Sequence, residues 1–476
     1  MNAPFQFSDF AALSPFLILI AAALGILLAE TFVPHIAKKM GGYFSIAGFS
    51  LSLLAALSAP ASDHPLVTPW LSFDSTSRFF TFLFLLIAIA SSCLSASFFQ
   101  RFEASKGEYH FLLISAVFGL LLVGAAADFL TLFLGLETLS IALYVMCGYM
   151  KRWESSSESA IKYFLTGAVA SAFLLYGIAL LYGAVGTTQL TSLLAQYQGL
   201  SGSSGRYLFL GGIAMITVGF AFKAALFPFH AWAPDVYDGA PTPVTAFMAV
   251  GAKAGAFAAF ARVFLIALPQ FNPVWNQAIA WLAIASMGYA NIVALRQLQL
   301  RRFFAYSSIS HAGFLLIPLI ADHPLSLPSL EFYLVVYSAA TLGAFSLLAL
   351  LDHQSEGVCL TDLNGLFRRS PGVAALMTFF LLTLAGIPPT AGFFAKFYLL
   401  KGAFESGYAF LVVIALLTTI FSIFYYLRIV SIMFSGQSLG SNETAISWPA
   451  SLVAVVSCVV IILLSLYPGG FAALFS

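Results

Sequence analysis

Four charged side chains stand in the middle of long apolar runs: Glu137 in DFLTLFLGLETLSIALYV, Lys223 in ITVGFAFKAALFPFHAW, Lys253 in AFMAVGAKAGAFAAF and Lys396 in LAGIPPTAGFFAKFYLL. Burial disfavours the charged form of an amine, and a carboxylate brought close restores it. A Lys–Glu contact that is made and broken can therefore load and release a proton without any cofactor. His311, in AYSSISHAGF, is the one histidine well inside an apolar run. An imidazole can bridge such a relay, or can serve only as a hydrogen-bonding group. The competing reading of all five is that of structural polar groups paired inside a helical bundle. Three lysines and one glutamate in one apolar chain weigh against it, because ionisable groups at membrane depth are costly and tend to be functional.

The composition shows what must position these groups. The chain has 476 residues, of which 61% are hydrophobic and only 8% charged. About a quarter of the residues in a soluble domain are charged, so a water-soluble enzyme is excluded. The net charge of +1 offers no basic face for nucleic acid. A bilayer core needs roughly 20 apolar helical residues to cross it. On that measure spans fall near 15–33, 42–60, 78–99, 109–127, 128–149, 157–185, 207–229, 242–267, 274–295, 301–321, 329–351, 372–400, 408–433 and 448–468. The expected fold is an all-α polytopic membrane protein of about fourteen transmembrane helices. Residues 187–200 read as a short amphipathic connector. The N-terminal MNAPFQFSDF lacks the basic region of a signal peptide, so the first apolar run is expected to span.

Charge in the loops sets the orientation. Loops after odd-numbered helices hold Lys38, Lys39, Arg101, Lys106, Lys151, Arg152, Arg296, Arg301, Arg302, Arg368 and Arg369, whereas the others hold little beyond Arg78, Arg206 and Lys401. The basic loops are expected to face the cytoplasm of a bacterial cell, with both termini on the periplasmic side of the inner membrane. Glu30, Lys162, Arg262, Glu331 and Arg428 lie within a turn or two of an interface, where long side chains are expected to snorkel into the headgroups.

Two of the lysines adjoin helix breakers. Pro228 follows Lys223, and Pro388-Pro389 precede Lys396. Proline removes a backbone donor, and freed backbone is tolerated at membrane depth only where protein or a water-filled cavity satisfies it. The breaks fall in the seventh and twelfth helices, five apart. That spacing predicts two inverted five-helix repeats, each containing a broken helix. The expected units are 1–108 with three helices, 109–267 and 274–433 as the repeats, and 434–476 as a last helix. Cys93, Cys147, Cys359 and Cys458 form no CxxC, and neither a metal centre nor haem ligation is expected.

The stretch FPFHAWAPDVYDGAPTPV (Phe227–Val244), with Lys223 before it, Lys253 after it and Glu137 in LGLETLSIALY, resembles the antiporter-like membrane subunits of respiratory complex I. That family also includes subunits of Mrp-type sodium/proton antiporters and membrane-bound hydrogenases. The twelfth-helix lysine and GIPPTAGFFAKFYLL are similar to the subunit N branch of NADH-quinone oxidoreductase. The resemblance implies a translocase subunit in which Glu137 pairs with Lys223, Lys253 is the central relay and Lys396 lies towards the exit. It implies no cofactor in this chain, with FMN, iron–sulfur clusters and quinone held by other subunits. The implied partners are the neighbouring subunit M, the small subunits K and J, the lateral helix of subunit L, and lipid. Two rivals remain at this stage: a cation/proton antiporter component, against which a lysine-rich axis argues because Na⁺ prefers oxygen ligands, and a structural spacer that moves no protons.

Overall fold

The computed structural model describes residues 5–102, 104, 106–200, 202–269, 272–321, 323–352, 357–435 and 447–470. Among them there is no strand, only isolated bridges between loops. The longer helices are α1 (Phe7–Phe32), α2 (Pro34–Ser58), α3 (Ser75–Arg101), α4 (Gly107–Gly124), α5 (Phe129–Cys147), α6 (Glu154–Val185), α7 (Ser203–Lys223), α8 (Trp232–Gly239), α9 (Thr242–Ala267), α10 (Asn272–Ala294), α11 (Leu300–Leu316), α12 (Ser326–Leu351), α13 (Pro371–Ala385), α14 (Ala391–Glu405), α15 (Ala409–Ser435) and α16 (Trp448–Leu466).

Twelve of these are long and apolar enough to cross a membrane singly. The other two expected spans take a different form. The tenth is the 17-residue α11, which tightens into the 3₁₀ turn Ile317–Leu319. The twelfth is divided into α13 and α14. The connector expected at 187–200 consists of the 3₁₀ turn Leu190–Ser192 and the short helix Leu193–Gln198. Between α4 and α5 the chain turns over Ala125–Asp128, and Asp128 caps α5 by accepting from the Leu130 amide at 2.7 Å. Residues 436–446 and 471–476 of the expected last unit lie outside the described residues.

Burial follows from position in the bundle. In α9 and α12 most residues of the apolar stretch are enclosed by protein, 89% and 83%, whereas in α1, α2 and α16 only 28% are. The outer helices keep large apolar side chains exposed, as a lipid-facing surface requires. The enclosed α9 carries Lys253 and Arg262, and the enclosed α12 carries Glu331.

Two helices are interrupted. After Lys223 the chain runs through a cis Phe227–Pro228 peptide before α8, and after Ala385 it runs through a cis Pro388–Pro389 peptide before α14. The seventh helix therefore ends earlier than the 207–229 expected from apolarity, and Lys223 is its last helical residue. Gly386 has φ +78°, a conformation that L side chains rarely adopt. Close packing needs the next glycine too, since a Cβ on Gly392 would stand 1.7 Å from the Thr383 carbonyl oxygen. In α9 the α-helical ladder gives way to π-helical turns at Met248–Ala252 and Ala261–Ala267, on either side of the Lys253 segment. Such turns commonly mark functional positions in helices.

The snorkelling expectation fails for two of its five residues. Arg262 is 2% exposed and Glu331 8%, and both are enclosed by helices. Distance from a helix end gives depth along the membrane normal, but not whether that face of the helix meets lipid or protein.

Candidate functional site: a buried row of charges

Glu137 on α5 and Lys223 at the end of α7 meet as an ion pair, Nζ to Oε1 3.5 Å. Ser171 on α6 donates a short hydrogen bond to the same carboxylate oxygen. Lys223 also donates to Ser140 Oγ at 2.5 Å, one turn along α5 from Glu137. The lysine side chain is 5% exposed and the glutamate 21%, so the carboxylate sits at the lateral surface and the amine inside. The pair is loose by the standard of charge-assisted bonds, which run at 2.7–2.9 Å. Its amine is held more closely by the serine than by the carboxylate.

Lys253 is held without any carboxylate. Its Nζ donates to the Ser308 carbonyl at 2.7 Å and to the Ala224 carbonyl at 3.2 Å. Lys396 likewise donates to the Ala385 carbonyl at 2.9 Å, with its ammonium 4.9 Å from the centre of the Phe314 ring. The two breaks supply the Ala224 and Ala385 carbonyls, whereas Ser308 lies within α11. A helix leaves its last four carbonyls without intrahelical partners, and its C-terminus carries partial negative charge. Ala224 caps α7 and Ala385 ends α13. Each break thus turns the negative end of a half-helix towards a buried ammonium. Gly386 belongs to the second arrangement, because a Cβ there would stand 2.9 Å from Lys396 Cδ.

His311 lies between these lysines, within electrostatic range of both. It is one helical turn beyond Ser308, whose carbonyl holds Lys253. Its Nδ1 is 2.7 Å from the Tyr333 hydroxyl on α12 and its Nε2 3.3 Å from the Tyr426 hydroxyl on α15. Ser307 continues this chain through a short hydrogen bond to Tyr426. Between His311 and Lys396 lies a cavity of about 10 Å³, lined by Tyr333, Tyr337, Thr383 and Gly392. That is about the space one water molecule needs.

All five residues singled out in the sequence are therefore buried or half-buried and lie along the interior, but they do not touch as one string. Glu137 contacts Lys223, His311 and Lys396 line one cavity, and Lys253 is held by Ser308 on the helix that carries His311. No direct hydrogen bond joins Lys223 to Lys253 or Lys253 to His311. Ser140, Ser171, Tyr333 and Tyr426 complete the row and were not singled out from the sequence. Hydroxyl residues are common in apolar helices, and nothing in their spacing sets these four apart.

At the end of the molecule bearing the basic loops, a cavity of about 600 Å³ opens between α6, α8 and α11, lined by Arg152, Glu158, Lys162, Asp235, Asp238 and Arg302 among others. Asp235 accepts from Lys162 and Arg302, each at 2.8 Å. Burial acts to raise its carboxyl, but these two cations hold it below the usual carboxylate range. Asp238 is 3.9 Å from Arg302, and there burial prevails and pushes the carboxyl up. The helix between this cavity and the first break, α8, is eight residues long, or about 12 Å.

Among the described residues, no group of three or more His, Cys, Asp or Glu side chains is placed to hold a metal ion.

Residues 126–422 match the family model described as "NADH:quinone oxidoreductase/Mrp antiporter, TM". That stretch contains Glu137, Lys223, Lys253, His311 and Lys396. The chain belongs to this family. It is 57% identical over 477 residues to NADH-quinone oxidoreductase subunit N of Protochlamydia amoebophila, covering 100% of this chain and 99% of the relative. It is 38% identical to the subunit N of Chloroflexus aggregans, over 98% and 96% of the two chains. Among solved structures, a chain of respiratory complex I from Thermus thermophilus with bound aureothin superposes with a TM-score of 0.82 at 33% identity, covering 96% of this chain and 98% of that one. A chain of the Mrp complex from a Dietzia species gives a TM-score of 0.84 at 18% identity, over 99% and 96%, which is a likeness of fold alone. The chain is a multi-pass membrane protein.

Proposed function

We propose that this chain is a proton-translocating membrane-arm subunit of an NADH-quinone oxidoreductase, with Glu137, Lys223, Lys253, His311 and Lys396 as its relay. One observation carries the reading: the two helix breaks each direct a freed carbonyl at a buried lysine, Ala224 towards Lys253 and Ala385 towards Lys396. Each break thus faces one buried ammonium, Lys253 on the helix after the first broken one and Lys396 within the second broken helix, as a proton-carrying unit built around each break would need. The likeness of the breaks also supports reading 109–267 and 274–433 as inverted repeats, flanked by 1–108 and 434–476.

No step within the chain releases energy, so the drive must come from neighbours. Carrying one charge against a membrane potential costs about 2.3 kcal/mol per 100 mV. Glu137, at the lateral surface, is the group a neighbouring subunit can reach. In the proposed cycle a push on Glu137 weakens its hold on Lys223, whose proton state then biases Lys253 through the break between them. From Lys253 the charge passes by Ser308, His311 and the one-water cavity to Lys396. The cavity at the basic end would admit protons from the cytoplasm, with both termini on the periplasmic side of a bacterial inner membrane.

Electron transfer would take place elsewhere, with FMN, iron–sulfur clusters and quinone in other subunits. The partners would be the neighbouring antiporter-like subunit M, the small subunits K and J, the lateral helix of subunit L, and lipid at the exposed apolar faces. The test is quinone-coupled proton pumping by assembled complexes in liposomes. Lys223→Ala and Lys253→Ala should each lower the protons moved per NADH oxidised. Wild-type ratios in both variants would rule out the relay and favour a spacer.

A further inference from the structure

At the end of the molecule opposite the basic loops, Glu331 is a buried charge that the relay does not use. Glu331 lies in the second turn of α12 and is 8% exposed. Among the described residues its carboxylate makes no hydrogen bond and no ion pair. The cation at this end of α9, Arg262, is committed elsewhere. Its Nη1 and Nη2 bind the two oxygens of Asp74 at 2.5 and 2.9 Å, and its Nε and Nη2 bind the Gly124 carbonyl at 2.9 and 2.6 Å.

Among the described residues, the other elements packed on α12 bring no counter-ion either. α13 and α16 contain no charged residue. On α14, Lys396 is bonded to Ala385, and Lys401 and His323 both approach Glu405. On α3, Arg78 is exposed and Arg101 binds carbonyls at the far end of α12. On α11, Arg302 pairs with Asp235, Arg301 donates to the Ala240 carbonyl, and His311 faces Tyr333. The charged group that acts on Glu331 is the Asp74 carboxylate, of like sign. Asp74 is clamped in one state by Arg262, whereas Glu331 has no fixed counter-ion and can cycle between its two.

The helix that carries Glu331 also reaches the relay. Tyr333, two residues on, holds His311, and Tyr337 lines the one-water cavity beside Lys396. Ser338 lies two turns in from Glu331 on the same face. Its buried hydroxyl has no hydrogen-bond partner.

We propose that Glu331 is the proton-release group of this subunit, accepting the proton from the His311–Lys396 end of the relay and passing it to water at the outer face. The inference rests on the relay reading above. In the first step an ammonium N–H bond breaks and an O–H bond forms on the Glu331 carboxylate, through an intervening hydroxyl or water. In the second that O–H bond breaks towards outer water and the carboxylate is restored, so that one proton is the net transfer.

The test measures protons pumped per NADH oxidised by the whole complex in liposomes, across the neutral pH range. Glu331→Gln keeps the volume but cannot titrate, and should lose the same share of pumping as Lys396→Ala. Glu331→Asp should retain it. If the Gln variant does not assemble, Glu331→Leu replaces it, since an apolar side chain often substitutes for a buried charge without loss of stability. If Lys396→Ala loses its share while the Gln or Leu variant pumps at the wild-type ratio throughout, Glu331 is a packing residue and only this inference fails. If Lys396→Ala itself pumps normally, the relay reading fails, and this inference with it.

Discussion

The Glu137–Lys223 contact can be tested by magnitude. At the observed 3.5 Å, two unit charges attract by about 4.7 kcal/mol at an effective dielectric of about 20, and by about half that at twice the distance. Opening the contact by one such distance therefore costs up to about 2.4 kcal/mol, close to the cost of moving one charge through about 100 mV, and a neighbouring subunit must supply it. Because Glu137 is 21% exposed, solvent screens part of this, and the figure is an upper bound. Glu137→Gln removes the charge and leaves the side-chain length unchanged. Glu137→Asp shortens the side chain by one methylene, which stretches the gap to about 5 Å and keeps about 3.3 kcal/mol of the attraction. The expected order of pumping per NADH in liposomes is wild type, then Asp, then Gln, with NADH oxidation by a soluble acceptor unchanged in all three. Equal pumping by Gln and wild type would refute the reasoning. So would an Asp variant worse than Gln, since that would make side-chain shape, not charge, the property that matters.

Three further predictions concern the Asp74–Arg262 pair and the second break. Asp74→Ala leaves the buried Arg262 unpaired, expected to cost about 3 kcal/mol, and also removes the Asp74 bond to the Ser77 amide that caps α3, adding about 1 kcal/mol; thermal unfolding of the solubilised complex measures the sum. Burial works to raise the Asp74 carboxyl, but Arg262 holds it below the usual range, so its stabilisation is complete above the unfolded value of about 3.9 and fades as pH falls through the folded value. Asp74→Asn should accordingly flatten the acid limb of a stability-versus-pH curve. An unchanged limb would remove the pair from the account. Gly386→Ala meets both a positive φ and the Lys396 side chain, and should reduce pumping about as far as Lys396→Ala does, while Gly372→Ala, with open space at its Cβ, should not. Liposome pumping distinguishes the two.

The sequence carried the candidate residues because a charge in an apolar run stands out one residue at a time. Glu137, Lys223, Lys253 and Lys396 needed no alignment to be noticed, and the prolines beside two of them announced the breaks. Arg262 and Glu331 were misjudged by the same reasoning. Each lies near a helix end, where snorkelling is common, yet each faces neighbouring helices. Asp74, the partner of Arg262, is 188 residues away in the chain, a separation that no local pattern can bridge. The lengths of the interrupted helices were likewise only partly legible, since apolarity continues past Lys223 after the helix has ended.

Composition alone made this a membrane protein: with so few charges the chain cannot maintain a surface in water, and the hydrophobic runs have the length of a bilayer. Sequence also named the row of lysines and its single glutamate. The tertiary structure decided what holds each one. Backbone carbonyls freed by two breaks, hydroxyls from four other helices and a one-water gap are contacts between distant segments. Their geometry depends on how the helices cross, and the order of residues does not encode that locally.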